Sequence, residues 1–297
     1  MSRKERHIER RAAGRPGLAI DLRNLTGHLT LEPSPSGDVE LTALVVAEAD
    51  DEVQADRLAR AVDVPLDPQG ELLVVRAVYP DVATLRYPLA ELARGAFGER
   101  GDIGVSVPYA GSVVTVTSRE DSGAPVLYAD ITLRVPAGAV VQGWNGVGNV
   151  EAGKVDAVLE LSSECGDVAV QGGSGDTRVL TRTGDTLVLE RSGEIEVRSP
   201  AGDVAVVASS GRIAVETGSG GIALDRLKGE VRAASGSGDV QARDISPRGF
   251  LYLASGSGDV RLEAPGLLPV KQEEGLLLGT LEEAEVRLSS KSGLVRT

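Results

Sequence analysis

Aromatic residues make up only 3% of this 297-residue chain, which has a single cysteine, one tryptophan and two histidines. The lone Cys165 excludes an intramolecular disulfide framework and a cysteine zinc cluster, and its expected role is a small buried residue beside Gly166. With His7 and His28 the only imidazoles, a Ser/His/Asp or Cys/His constellation could be built only around His28, whose expected role is a satisfied strand histidine. No phosphate loop or zinc spacing is present, and no cofactor is expected. No apolar run has the length of a signal peptide or a transmembrane helix, so cytoplasmic residence is the expectation. The formal net charge of -13 argues against nucleic-acid binding, because the acidic surface would repel phosphate.

What the chain does have is a period. Glycine recurs every nine residues at Gly166, Gly175, Gly184, Gly193, Gly202, Gly211, Gly220, Gly229 and Gly238, and most are followed by a carboxylate and an apolar-variable-apolar triplet, as in Gly202-Asp203-Val204-Ala205-Val206. A short fixed period predicts stacked, near-identical units. Inward pairs such as Ile195/Val197, Val204/Val206, Ile213/Val215 and Val231/Ala233 alternate with polar residues, the pattern of a strand with one buried face. After Gly238 the step lengthens to eleven, reaching Gly249, and returns to nine at Gly258; two extra residues within Asp244 to Arg248 are expected to bulge from one turn.

Nine residues supply a strand of about five, roughly 17 Å long, and a turn of about four. Two units facing each other make an eighteen-residue coil, and stacked coils hydrogen-bond strand to strand. The predicted fold is all-β, a β-solenoid of nine-residue strand-turn units with two per coil; a three-sided, twenty-seven-residue coil fits the same spacing. Glycine at the turn reaches positive φ at little steric cost.

The preceding region is less regular. Leu18 to Leu31 and Val39 to Val46 read as strands, Glu48 to Val62 has helical spacing, Pro88 to Ala96 suggests a short helix, and Asp102 to Thr117 and Val126 to Val135 return to strand. The organisation expected is a basic disordered tail over 1-17, a wider-coiled opening of the solenoid over 18-138 with a helical insertion near 48-62, and the regular repeat with a C-terminal cap over 139-297.

The order of Leu29-Thr30-Leu31, a helix-bearing excursion, Ile131-Thr132-Leu133-Arg134-Val135-Pro136-Ala137-Gly138-Ala139 and then Ser-Gly-Ser-Gly-Asp-Val at Ser235 to Val240 and Ser255 to Val260 resembles the DUF4097 family of β-strand-repeat proteins, which carry an adhesin label. The similarity runs from about residue 18 onward. It implies a β-solenoid, association with the cell envelope and no catalytic residues to carry over; the signal or anchor that many relatives bear is not seen here.

Turn carboxylates are the sharpest candidate site. Eighteen-residue coils place Asp167, Asp185, Asp203 and Asp239 in one file and Asp176, Glu194 and Glu230 in the other, interrupted by Arg212. Like charges about 4.8 Å apart repel by roughly 0.9 kcal/mol even in water, and calcium would relieve that. Asp167, Asp185, Asp203 and Asp176 are therefore the calcium candidates, although the nonapeptide calcium pattern would put the carboxylate one place later. The leading expectation is that these side chains cap backbone groups. Trp144 is expected to plug a coil.

The function expected is a non-enzymatic, adhesin-like scaffold binding a protein partner, an envelope polymer or copies of itself through its ends. The alternatives are a polysaccharide-acting enzyme in a solenoid groove and a calcium-binding repeat protein. The cations Arg3, Lys4, Arg6, Arg10, Arg11 and Arg15 could make weak contact with a membrane surface.

Overall fold

The structure is a computed structural model that describes residues 1-88, 103-273, 275-281 and 284-297. The chain forms two compact units, Met1–Asp167 and Val168–Thr297. Within the first, strands on both sides of Gly138 share a sheet.

The first unit contains β1 (Ser2–Ala12), β2 (Ala19–Thr26), β3 (Leu29–Pro33), β4 (Val39–Ala49), helix α1 (Glu52–Ala61), β5 (Leu66–Gln69), β6 (Leu72–Arg76), β7 (Thr84–Arg86), β8 (Gly104–Tyr109), β9 (Ser112–Thr117), β10 (Val126–Val135), β11 (Val140–Val147), β12 (Val150–Gly153) and β13 (Val158–Cys165). One sheet holds β6, β2, β11 and β13 in parallel, with β5 antiparallel on β6. The other centres on β10, which runs parallel to β3 and antiparallel to β4. Asp51 caps α1, its carboxylate accepting from the Gln54 N–H at 2.7 Å. The helix expected over Pro88 to Ala96 lies, apart from Pro88, outside the described residues.

The amino terminus corrects the expectation of a disordered tail. Ser2–Ala12 is strand β1, antiparallel to β4 along its whole length. Its cations find the chain's own acids: Arg3 pairs with Glu48 at 3.3 Å, Lys4 with Glu52 at 2.5 Å, Arg10 with Asp63 at 3.3 Å and Arg11 with Asp38 at 2.8 Å. The Arg6 guanidinium donates to the carbonyls of Ala59, Arg60 and Val62 at the end of α1, where orphan acceptors and the helix dipole favour a cation. Only Ile8 of this strand is buried, so hydropathy did not reveal it.

The second unit comprises β14 (Val168–Gln171), β15 (Thr177–Thr183), β16 (Thr186–Leu189), β17 (Ser192–Ser199), β18 (Val204–Val207), β19 (Ser210–Thr217), β20 (Ile222–Asp225), β21 (Lys228–Ser235), β22 (Val240–Arg243), β23 (Ser246–Ser255), β24 (Val260–Glu263), β25 (Leu268–Glu273), β26 (Leu276–Leu281), β27 (Ala284–Ser290) and β28 (Val295–Arg296). Thr186 aligns with Val204, Val204 with Ile222 and Ile222 with Val240; on the opposite sheet Ile195 aligns with Ile213 and Ile213 with Val231. Each of these steps is eighteen residues, so the coil is two-sided. Val204, Val206, Ile213, Val215, Val231 and their equivalents fill the interior, each contributing about 1.5–3 kcal/mol by burial.

The glycine period has a stronger cause than turn geometry alone. Gly202 has φ 138°, and a Cβ there would lie 2.0 Å from the Gly184 carbonyl oxygen of the adjacent coil. Backbone touches backbone at that corner, leaving no room for a side chain. A second corner uses non-glycine residues in the left-handed region, Glu190, Ala208, Arg226 and Asp244 at φ 51–54°, and no glycine signal marked it in the sequence.

Two polar devices tie the coils together. The first serine of each Ser-Gly-Ser-Gly-Asp unit bridges neighbouring coils: Ser235 Oγ donates to the Gly220 carbonyl at 2.9 Å and accepts from the Gly238 N–H at 2.8 Å, and Ser255 repeats this with Gly238 and Gly258. Arg191 is buried where other coils carry Ser209, Leu227 or Ile245; its guanidinium donates to Thr177 Oγ1 at 3.0 Å and the Gly172 carbonyl at 3.2 Å. At the C-terminal end β26 and β25 add antiparallel strands to β27, and the outermost, β25, carries Pro269 and Lys271, residues that discourage further edge pairing.

Candidate functional site

The turn carboxylates form ladders directed at the backbone. In the second unit the Asp203 N–H donates to Asp185 Oδ1 and the Gly221 N–H to Asp203 Oδ1, both at 2.7 Å, while the Asp259 N–H donates to Asp239 Oδ1 and the Leu294 N–H to Asp259 Oδ1, both at 2.8 Å. In the other file the Glu194 N–H donates to Asp176 Oδ1 at 3.1 Å, and Arg212 meets Glu230 at 3.0 Å. Asp185 and Asp203 thus share a corner, whereas Asp176 lies at the opposite one. In the first unit Asn149 plays the same part, its Oδ1 accepting from the N–H of the buried Asp167 at 3.0 Å. Among the described residues no three His, Cys, Asp or Glu side chains converge as a metal-holding group.

His28 sits between two partners. Its Nδ1 accepts from the Asn149 N–H at 3.1 Å, which leaves Nε2 to carry the proton of the neutral ring and donate to the Tyr87 hydroxyl at 3.3 Å. Tyr87 stands edge-on to both His28 and Tyr128. Asp130 accepts from the His28 backbone N–H at 2.8 Å. His7 lies on the exposed face of β1. Cys165 is buried.

Trp144 is half-buried and stacked on Tyr109, with ring centroids 5.7 Å apart, and Tyr79 meets Tyr109 edge-on. The Tyr79 hydroxyl lies 2.8 Å from both Asn24 Oδ1 and the Thr26 carbonyl, its one proton shared between two acceptors; Tyr109 donates to the Ala77 carbonyl at 2.5 Å. Burial pushes both phenols well above the ordinary tyrosine range. Tyr79 follows β6, Tyr109 ends β8 and Trp144 lies on β11, so these rings meet only in the folded chain and no local pattern in the sequence marks the cluster.

Two shallow grooves lie on outward sheet faces. One of about 410 Å³, in the first unit, is floored by Glu9, Thr42, Thr132 and the cross-strand charge row Arg11, Glu40, Arg134. Glu32 extends that row, pairing with Arg134 at 3.0 Å. The second, about 320 Å³ in the second unit, lies over Val207, Asp225, Gln241 and Arg243. Burial raises the Asp225 carboxyl, but hydrogen bonds from Arg243 and Arg226 outweigh it and hold the group below the usual range. In both grooves the charges are largely spent on one another.

The outward face of the other sheet in the second unit behaves differently along its length. Arg178 pairs with Glu196 at 2.7 Å, Arg198 with the same Glu196 at 2.9 Å, and Arg212 with Glu230. Further along, Arg232, Tyr252 and Arg287 occupy adjacent positions on β21, β23 and β27, the two guanidinium carbons 5.4 and 5.9 Å from the Tyr252 ring centroid. Neither arginine has a carboxylate partner among the described residues. Arg232 stands between the inward Val231 and Ala233 of the nine-residue pattern, but nothing in that pattern brings Tyr252 and Arg287 beside it.

A family model described as Toastrack DUF4097 matches residues 96–271. Among solved structures, one described as a "putative cell adhesion protein" from Clostridium sporogenes aligns over 99% of this chain and 98% of its own, at 10% identity and a TM-score of 0.28. A likeness that weak carries nothing over to this chain. Among curated proteins none matches.

Proposed function

The chain belongs to the Toastrack DUF4097 family, and from that premise we propose that it works as a non-enzymatic, adhesin-like scaffold, presenting its solenoid faces to an envelope polymer or a protein partner. The observation that carries this reading is the division of labour in the second unit. Inward side chains and turn carboxylates are committed to the stack, while outward residues stand in register from strand to strand at about 4.8 Å. Such a face is a fixed array of chemical groups that contributes little to the fold and is free to make contacts.

Faces serve the reading better than ends. The strand at the C-terminal end carries Pro269 and Lys271, and the exposed face of β1 is charged almost throughout, both of which oppose edge-to-edge stacking. Among the described residues no helix is long and apolar enough to cross a membrane. Co-sedimentation of the purified chain with insoluble cell-wall fragments tests the proposal: saturable binding is the expected result. Binding that is absent, or that rises without saturation, would overturn it for the polymer, and a protein partner would then have to be shown with purified components.

A further inference from the structure

We propose that the outward face around Tyr252 binds an anionic polysaccharide, a polymer of carboxylate-bearing sugars; this names a ligand class for the scaffold reading above and rests on it. The first support is charge. On a chain of formal net charge -13, where neighbouring arginines of the same face hold carboxylates, Arg232 and Arg287 are left to an aromatic ring. Tyr252 holds the two cations apart on strands two steps distant, about 10 Å. Each guanidinium keeps donors for a carboxylate, whose paired oxygens match its fork.

The second support is the break in the nine-residue period. Gly229 pairs with Pro247 and Val231 with Leu251, so Arg248, Gly249 and Phe250 of β23 stand opposite Glu230 alone. The two extra residues are accommodated here, and they bring an exposed Arg248 and a 39% exposed Phe250 to the same edge of the patch. An exposed phenyl ring offers an apolar platform to the flat face of a sugar, with the cations alongside for its acid group. Glu285 lies opposite Phe250 and, among the described residues, has no cation partner; Glu230 is held by Arg212.

The third support is shape. Ala214 lies beside Arg232 on the neighbouring strand, and Ala234 and Ala254 border Arg232 and Tyr252 along one side of the row, so on that side the guanidiniums stand beside small side chains. A protein partner would need about 800 Å² per side with a desolvated apolar centre, which these alanines do not provide. A flexible charged chain laid across the strands needs only the repeated cations and the ring.

The test uses the full chain and immobilised polygalacturonate, with dextran as neutral sugar, poly-L-glutamate as acidic polypeptide and polyphosphate as sugar-free polyanion, at about 50 and 200 mM salt. Expected are saturable polygalacturonate binding that weakens with salt, none to dextran, and a loss of at least about tenfold in Arg232→Gln/Arg287→Gln with an unchanged circular dichroism spectrum. Phe250→Ala should weaken polygalacturonate at least about threefold and leave poly-L-glutamate unaffected. No saturable binding, an unaffected double variant, or poly-L-glutamate or polyphosphate binding as tightly as polygalacturonate would each overturn the proposal. If cell-wall fragments still sediment with the double variant, this site fails while the scaffold reading stands.

Discussion

Gly220 and Gly221 are neighbours with opposite expected tolerance. A Cβ on Gly220 would lie 1.8 Å from the Gly202 carbonyl oxygen, whereas on Gly221 its nearest atoms are at 3.6 Å. To bring the first distance to the 3.0 Å that real Cβ contacts require, the two coils must part by about 1.2 Å. Interstrand bonds near this corner, such as Val204 N–H to the Gly221 carbonyl at 2.9 Å and Ile222 N–H to the Asp239 carbonyl at 2.8 Å, cannot survive that separation. Losing two or three of them at about 1 kcal/mol each, with strain added, gives a destabilisation of about 3–5 kcal/mol for Gly220→Ala. That is a large part of the total stability of a typical domain. Gly221→Ala should lie within about 0.5 kcal/mol of the parent. Hydrogen-exchange mass spectrometry on peptides spanning residues 200–245 reads both effects locally, whereas Trp144 fluorescence reports the first unit. Equal protection in the two variants would refute the account of why glycine recurs every nine residues.

Other outcomes follow from the same geometry. Gly221→Asn should stabilise the second unit by about 0.5–1 kcal/mol, because the position belongs to the Asp185 and Asp203 file and an amide oxygen restores the missing ladder acceptor without added charge; denaturant midpoints check this. Arg191→Ala should cost about 3 kcal/mol through a cavity and the loss of the guanidinium's hydrogen bonds to Thr177 Oγ1 and the Gly172 carbonyl, and Arg191→Met should cost less because it keeps the volume. The Gly14 N–H and Arg11 hold the Asp38 carboxyl below its ordinary value, so its stabilising contribution is full above about pH 5 and is lost as pH falls below about 4 through the folded-state value. Exchange of β1 amides should quicken in that window, and Arg11→Gln should remove much of the effect. Cys165 should resist a thiol reagent in the native protein and react once the first unit is unfolded.

Much of the second unit was legible because its period is enforced at every coil. The glycine corner, the inward Val/Ile/Leu pairs and the Asp files each repeat one contact, so each leaves a mark every nine or eighteen residues. What escaped notice repeats without a residue signature or does not repeat. Glu190, Ala208, Arg226 and Asp244 share a backbone conformation but no side-chain type. Strand β1 has one buried residue and is held by ion pairs to acids some 27 to 53 positions away, which local hydropathy cannot register. The Arg232–Tyr252–Arg287 row needs the sheet pairing to bring it together, and the inserted residues before Phe250 were visible only as an irregular step.

A scaffold of this kind holds a polymer without transforming it. Size-exclusion chromatography with multi-angle light scattering, run on the protein mixed with soluble cell-wall polysaccharide before and after prolonged incubation, measures complex formation and polymer length together. The account predicts a complex whose mass exceeds that of either component and a polymer whose length does not change. Shortened polymer would contradict the scaffold reading, and components that elute separately at saturating protein would contradict binding to that polymer.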